Sequence, residues 1–295
     1  MAASSRQRQQ TQDHVAMSNA LIESAIYNLS LAEHRLILTG IASIRKHQQS
    51  FDDHIIVTAD QYARFSGISL NAAYTDMAQS VERLWQRQLT IKEPPKDRRG
   101  VPIDHETNYP LRIRWITEVS GLKGRGAYYD QNRGRCGIRF HDRLSPFLLD
   151  LEEKGFFTKF LLSHVAPMQS KYGPRLYQII AQWRKVKSDP VVSVEWLRES
   201  WGVPDHMRTD NLKRGVINPA LNDVNRFTDV HVEPEYIKTG VRITHLKLHV
   251  VSRTEFEKKQ REQEAKAEKD REKRINEERI AALRIASRRP NSYSS

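Results

Sequence analysis

Three side chains spaced three residues apart, Arg208, Asn211 and Arg214, carry the most specific chemistry in the sequence. At helical spacing they lie opposite an apolar stripe of Leu212, Val216, Ala220 and Val224. A guanidinium can donate two parallel hydrogen bonds to O6 and N7 of guanine, and a carboxamide can pair with N6 and N7 of adenine. Each such contact discriminates between bases by about 1–3 kcal/mol. Thr209 and Lys213 flank this face and suit phosphate oxygens. A solvated helix with two arginines has the same pattern, so the neighbouring elements decide between the readings.

Those elements come from an internal repeat at an offset of about 135 residues. Val57–Ser69 (VTADQYARFSGIS) aligns with Val192–Pro204 (VSVEWLRESWGVP): Thr58 with Ser193, Asp60 with Glu195, Tyr62 with Leu197, Gly67 with Gly202, Ile68 with Val203. Each copy reads as a short helix with a Ser/Thr N-cap, ended by a glycine that supplies the left-handed conformation. Gln61, three residues after Thr58, predicts a capping box. A helix opening on Arg35-Leu36 or Arg175-Leu176 precedes each copy; in the second, Leu176, Ile179, Ile180 and Trp183 share one face. A longer helix follows, over Leu70–Gln86 with the stripe Ala73, Met77, Val81, Leu84 and Trp85, or over Thr209–Arg226. Two strands close each copy: Leu89–Lys92 and Leu111–Val119 in the first, Val230–Glu233 and Val241–Val251 in the second.

Helix, short helix, glycine turn, longer helix and β-hairpin make a winged helix-turn-helix. The expected fold is α+β, two tandem winged-helix domains with a charged helical or disordered C-terminal tail. In this scaffold the residues opening the second helix of the turn lie nearest base edges in the major groove, which is where Arg208, Asn211 and Arg214 stand. Pro219 predicts a kink, with Asn218 capping a restarted segment. Lys238 and Arg242 bracket Gly240 in the second hairpin and suit the phosphate backbone. The first copy offers Asn71, Tyr74 and Thr75 on its longer helix and Lys96, Arg98 and Arg99 in the loop of its hairpin, a phosphate-binding set. The first domain should position; the second should specify.

Composition agrees. The 295-residue chain carries 48 Lys and Arg against 36 Asp and Glu, a net charge of +12, which favours a polyanionic partner. The excess divides into +3 over residues 1–155, +5 over 156–252 and +4 over 253–295. The only cysteine, Cys136, has no intrachain partner and Cys pairs cannot build a zinc site. No run of about 18 apolar residues predicts a membrane span, and the Gln- and Arg-rich start lacks a signal-peptide core, so a cytoplasmic location is expected and no membrane partner. No Gly-x4-Gly-Lys-Ser/Thr loop is present. The metal-binding His pair of a rolling-circle nickase is missing, since His231-Val232-Glu233 and His245-x3-His249 do not supply it beside Tyr128-Tyr129. No enzyme, catalytic residue, metal or cofactor is expected.

With these elements placed, a family resemblance follows. Ser18-Asn19-Ala20-Leu21-Ile22, Tyr27-Asn28-Leu29-Ser30 and Glu33-His34-Arg35-Leu36 resemble the opening of replication initiators of iteron-containing, theta-replicating plasmids. Tyr172-Gly173-Pro174-Arg175-Leu176-Tyr177, Trp196-Leu197-Arg198, Leu212-Lys213-Arg214-Gly215-Val216, Asn218–Asn225 and Tyr236–Gly240 continue it, so the resemblance spans about residues 15–252. It implies a double-stranded DNA partner: direct repeats (iterons) in a plasmid origin, bound by monomers, with opening of the adjacent duplex. It further implies dimers that repress their own promoter through an inverted repeat, and contacts to host proteins such as the replicative helicase or its loader. The family's base-reading arginines fall on Arg208 and Arg214, and Gly215 stands where a basic residue is often found. The rival reading is a dedicated winged-helix transcriptional repressor without initiation activity. The organisation expected is a disordered start (1–14), a first winged-helix domain for dimerisation and DNA backbone contacts (15–152), a second for sequence-specific binding (153–252) and a charged extension (253–295). Gly121–Arg139, glycine-punctuated with net charge +4, reads as a mobile basic hairpin.

Overall fold

In the computed structural model, residues 14–44, 54–104, 107–117, 128–184 and 188–286 are described. The expected disordered start, apart from His14, and the Ser-rich end lie outside them. Contacts divide the chain into two units, Met1–Val250 and Val251–Ser295.

The first winged helix is built from strand β1 (His14–Ser18), helix α1 (Asn19–Glu23), β2 (Ala25–Tyr27), α2 (Leu31–Ser43), β3 (Ile55–Thr58), α3 (Ala59–Ser66), α4 (Leu70–Leu84), β4 (Gln88–Ile91), β5 (Leu111–Arg114), β6 (Tyr128–Asp130) and β7 (Arg135–Ile138). Each helix starts where a hydroxyl satisfies an orphan backbone N–H: Ser30 for α2, Thr58 for α3, Ser69 for α4. Gly67, at φ +66°, turns the chain between α3 and α4. Ala73, Met77, Val81 and Leu84 of the expected stripe are buried, while Trp85, just past the end of α4, is half-buried with the Arg114 guanidinium 3.9 Å over its ring. The wing strands β4 and β5 pair antiparallel, with β2 on the far side of β4.

Three expectations are corrected here. The capping box forms at Ser30, where Glu33 accepts the Ser30 N–H at 2.8 Å, and not at Thr58, whose Gln61 side chain instead donates to Ser43 Oγ at 3.2 Å. The strand expected to run to Val119 ends at Arg114, followed by an isolated bridge between Ile116 and Phe140. Of Gly121–Arg139, residues 121–127 lie outside the described part, while β6 and β7, an antiparallel hairpin joined by a 3-10 turn, are not free-standing but add to β3 in a three-stranded sheet. Arg133 and Arg135 there face Asp130, each at 3.8 Å. Burial pushes the Cys136 thiol in β7 up to about 12, leaving it a small apolar side chain.

Strand β8 (Phe157–Leu161) and helix α5 (Gly173–Trp183) come next, and the second winged helix comprises β9 (Val191–Ser193), α6 (Val194–Trp201), α7 (Thr209–Leu212), a π-helical segment (Lys213–Ile217), α8 (Asn218–Phe227), β10 (Val230–Thr239) and β11 (Arg242–Ser252). Leu176, Ile179 and Ile180 are buried as the spacing predicts. Strand β10 runs six residues past the expected Glu233; Pro234 is tolerated because β10 is an edge strand, in the order β10-β11-β9. In the second unit, α9 (Arg253–Ala286) is a charged helix with ion pairs at i,i+4 spacing, among them Glu255 with Lys259 at 3.1 Å.

The two winged helices share one core. Strand β1 pairs antiparallel with β8, His14 opposite Leu161 and Ser18 opposite Phe157. The repeated arginines bond backbone far away in the chain. Arg35, from α2, donates from Nε to the Ala166 carbonyl (2.8 Å) and from Nη2 to the Met168 carbonyl (2.9 Å). Arg175, from α5, donates to the Ala25 carbonyl (2.9 Å) and lies 4.1 Å over the Tyr27 ring. Beside Arg175 the buried His34 imidazole is held well below its ordinary range, at about 3, chiefly by desolvation and then by the charges of Arg175 and Lys171. An unfolded His34 takes up a proton near pH 6.5, so between pH 6.5 and 3 the unfolded chain binds more protons. Stability should therefore fall as the pH drops through that window, by up to about 1.4 kcal/mol per pH unit from this residue. Comparing urea denaturation of the wild type and His34→Leu from pH 7 to 4 checks this: their difference in stability should change with pH in that direction.

Candidate nucleic-acid interface

The site is assembled from the turn outward. Ser193 caps α6 by accepting the Trp196 N–H at 3.0 Å, and Gly202, at φ +62°, ends it in the left-handed region. The Arg198 guanidinium then donates to the carbonyls of Pro204 (2.8 Å) and Met207 (2.7 Å). These bonds fix the loop whose last residue precedes Arg208. Arg208 stands at the N-cap of α7 with extended backbone, and Leu212, Val216, Ala220 and Val224 are buried beneath the helix as the pattern predicts. Arg208, Thr209, Asn211, Arg214 and Gly215 are exposed. Arg214 Nη2 donates to Asn211 Oδ1 at 3.2 Å, so two of the three base-competent side chains touch. An added Cβ at Gly215 meets nothing within 4 Å, and the backbone passes open to solvent there.

The expected restart at Asn218 is corrected. Ile217 keeps helical dihedrals, and α8 begins without a side-chain cap. The chain instead widens into the π segment, where the Asn218 N–H bonds the Lys213 carbonyl. Pro219 cannot donate to the carbonyl four residues before it, and the wide turn shifts the bonding register by one residue at that point. The helix continues through the proline.

The wing is fastened to this helix from two sides. Asn225 of α8 exchanges both amide bonds with the Val232 backbone, donating to its carbonyl at 3.0 Å and accepting its N–H at 2.8 Å. Lys213 lies half-buried with Nζ 4.2 Å over the Tyr236 ring, so its ammonium joins helix to wing in this conformation. At the wing's base His249 sits between Glu235 (2.9 Å) and Asp189 (2.8 Å), whose hydrogen bonds raise its pKa. Lys238 and Arg242 are exposed beside the two-residue turn at Gly240 (φ +62°) and Val241.

The candidates of the first copy lie apart in role and surroundings. Asn71, Tyr74 and Thr75 are on the exposed side of α4, where Thr75 donates to the Asn71 carbonyl (3.2 Å) and the Tyr74 ring packs on Gly134. In the β4–β5 loop, Lys96 pairs with Glu93 (2.8 Å) and Arg98 donates to the Glu152 carbonyl (2.8 Å). Arg99 pairs with Asp97 (3.3 Å) yet stays 85% exposed at its side chain. The resemblance includes Arg198 and Asn225 without giving either a role. The signal was present: Arg198 lies in the last turn of α6, where a cation meets carbonyls, and Asn225 lies one helix turn before the chain reverses into β10.

Residues 14–181 match the family model described as Initiator Replication protein, WH1, and residues 193–250 match Initiator Rep protein, WH2. The chain belongs to this initiator replication protein family. It is 23% identical over 218 residues to a replication initiation protein of Escherichia coli, a match covering 70% of this chain and 61% of that protein's length. The crystal structure of Pi initiator protein in complex with iteron DNA resembles it with a TM-score of 0.59, at 19% identity, over 82% of this chain and 98% of that one. That likeness carries the tandem winged-helix fold. Among the described residues of this family member no helix is long and apolar enough to cross a membrane, and no group of three or more His, Cys, Asp or Glu side chains could hold a metal.

Proposed function

We propose that this chain initiates replication by binding direct repeats in an origin, with the exposed face of α7 and the π segment set in the major groove. The observation that carries the reading is Arg208, Asn211 and Arg214 standing solvent-exposed where the turn held by Arg198 ends. In this reading Arg208 and Arg214 take guanines and Asn211 an adenine. Thr209, Lys238 and Arg242 hold phosphates; Lys213 joins them only by leaving Tyr236. The first winged helix, about residues 15–152, adds backbone contacts through Asn71, Tyr74, Thr75, Lys96, Arg98 and Arg99 and mediates dimerisation. The second, about 153–252, specifies sequence, and the charged 253–295 extension takes no part in DNA reading.

Beyond binding, we assign opening of an AT-rich segment beside the repeats, repression of its own promoter by the dimer through an inverted repeat, and delivery of host helicase or its loader, in the cytoplasm. Family membership and the twin winged helices support initiation over repression alone. Permanganate footprinting of supercoiled origin DNA tests it: reactive thymines beside the repeats are expected on addition of the protein. Promoter binding without reactive thymines would reduce the chain to a repressor.

Lys238→Ala should weaken binding to repeat and random duplexes alike and flatten the salt dependence by about one unit of log K against log salt. Titrations between 50 and 200 mM salt read the slope; an unchanged slope removes the wing from the phosphate set.

A further inference from the structure

Arg175 is 3% exposed, and among the described residues no carboxylate pairs with it. Its Nη2 bonds the Ala25 carbonyl and its guanidinium lies over the Tyr27 ring, while Nε and Nη1 meet no acceptor. A buried charge without a counter-charge is costly, and the ring face offsets only part of that cost. Two further buried groups stand unpaired beside it. The His34 imidazole, 4% exposed, has neither ring nitrogen hydrogen-bonded, and its neutral form offers one N–H. The Trp201 indole, 2% exposed, has its N–H unpaired as well. Arg175, His34 and Trp201 line one small cavity. Its outer edge is formed by Lys171, whose Nζ donates to Asn28 Oδ1 at 3.0 Å, and by Tyr172, stacked on Trp201 at 5.8 Å.

Size and donor count select what this cavity takes. Its volume is about 10 Å³, on the order of one water-sized particle, so a carboxylate or a phosphate does not fit. The unpaired groups are Nε and Nη1 of Arg175, Nε1 of Trp201 and one nitrogen of His34 as donors, against the second His34 nitrogen as acceptor. A water placed among them would turn its own hydrogens on donors. A monatomic anion accepts from every direction and supplies the missing charge. The local field favours it, since the charges of Arg175 and Lys171 both act against protonation of His34. Chloride is slightly larger than water, and the partly exposed Lys171 and the exposed Asn28 can yield the difference.

We propose that this cavity binds one chloride-sized monatomic anion, which pairs with Arg175 and accepts hydrogen bonds from Trp201 and His34. The site joins three parts of the chain: residues 27–34, the start of α5, and the end of α6, where Gly202 turns the chain towards α7. A bound anion therefore braces the seat of the turn, and it touches no residue assigned above to DNA. The inference is independent of the major-groove reading.

The test uses the full chain labelled with nitrogen-15, in which each of the five tryptophans gives an indole N–H signal. Trp201→Phe identifies the signal from the cavity by its loss. Potassium glutamate is then replaced by potassium chloride at constant ionic strength, so that screening stays fixed. The Trp201 signal should move along a saturable curve that the other four do not follow, and the melting temperature should rise with the same midpoint. Arg175→Met should abolish the saturable movement. Lys171→Met removes a charge at the partly exposed edge and should shift the midpoint to about fivefold higher chloride. A Trp201 signal that ignores chloride, or that moves in simple proportion to it together with the other four, overturns the proposal and leaves a water in the cavity. A saturable curve retained in Arg175→Met overturns it too. Should Arg175→Met not fold, Lys171→Met decides, since a midpoint unchanged there also overturns the site.

Discussion

Arg208→Ala and Arg214→Ala should each weaken binding to the repeat by about 1–3 kcal/mol, roughly 5- to 150-fold, and leave affinity for random duplex nearly intact. The asymmetry follows from what each guanidinium does. Non-specific binding sums many phosphate contacts across a +12 chain, so one charge is a small share. Base discrimination rests on two or three side chains held at set angles. Arg208 has its backbone fixed by the helix N-cap and by the Arg198 bonds to Pro204 and Met207, and Arg214 is oriented by Asn211 at 3.2 Å. Arg214→Lys separates charge from geometry, since lysine keeps the charge and cannot make the paired fork. Competition titrations with repeat and random duplexes should show Arg214→Lys behaving like Arg214→Ala on the repeat and like wild type on random DNA. Equal losses on both duplexes would return these arginines to a solvated, sequence-blind face.

The twin winged helices were legible because their signals are local. Hydroxyl caps, glycine C-caps at Gly67 and Gly202 and an apolar stripe under each long helix are read residue by residue, and a repeat of the whole order doubles their weight. The exposed face of α7 was legible for the same reason. What the sequence did not disclose is set by partners distant in the chain. Nothing near Gln61 says that Ser43 will take its amide, and nothing near Lys213 says that Tyr236 will lie under its ammonium. Pro219 predicts a kink and a restart because a proline interrupts an α-helix; one π turn absorbs the lost donor, and local rules do not choose between these outcomes. The Arg-Leu pairs marked equivalent helices, yet an arginine in a helix pattern looks exposed until the segment that buries it is known.

Those two arginines carry the second large effect. Arg35→Met should destabilise the protein by about 3–5 kcal/mol, because it removes two charge-assisted hydrogen bonds and leaves the Ala166 and Met168 carbonyls without those donors. For a fold of this size that is a fall in melting temperature on the order of 10 °C. Methionine retains most of the buried apolar stem, so the loss reads out the bonds and not a cavity. Arg175→Met removes the bond to Ala25 and the stack on Tyr27 and should cost less, since only one carbonyl is given up. The decisive measurement is the double variant. Each arginine springs from one helix and grips backbone 131 to 150 residues away in the chain, so both hold one seam, together with the β1–β8 pairing. Once the first grip is lost and the seam loosens, the second has less left to hold, and the double variant should cost less than the two single losses together. Urea denaturation followed by circular dichroism measures all three. Strict additivity would mean that each arginine merely stabilises its own helix, and that the seam is held by its apolar core alone.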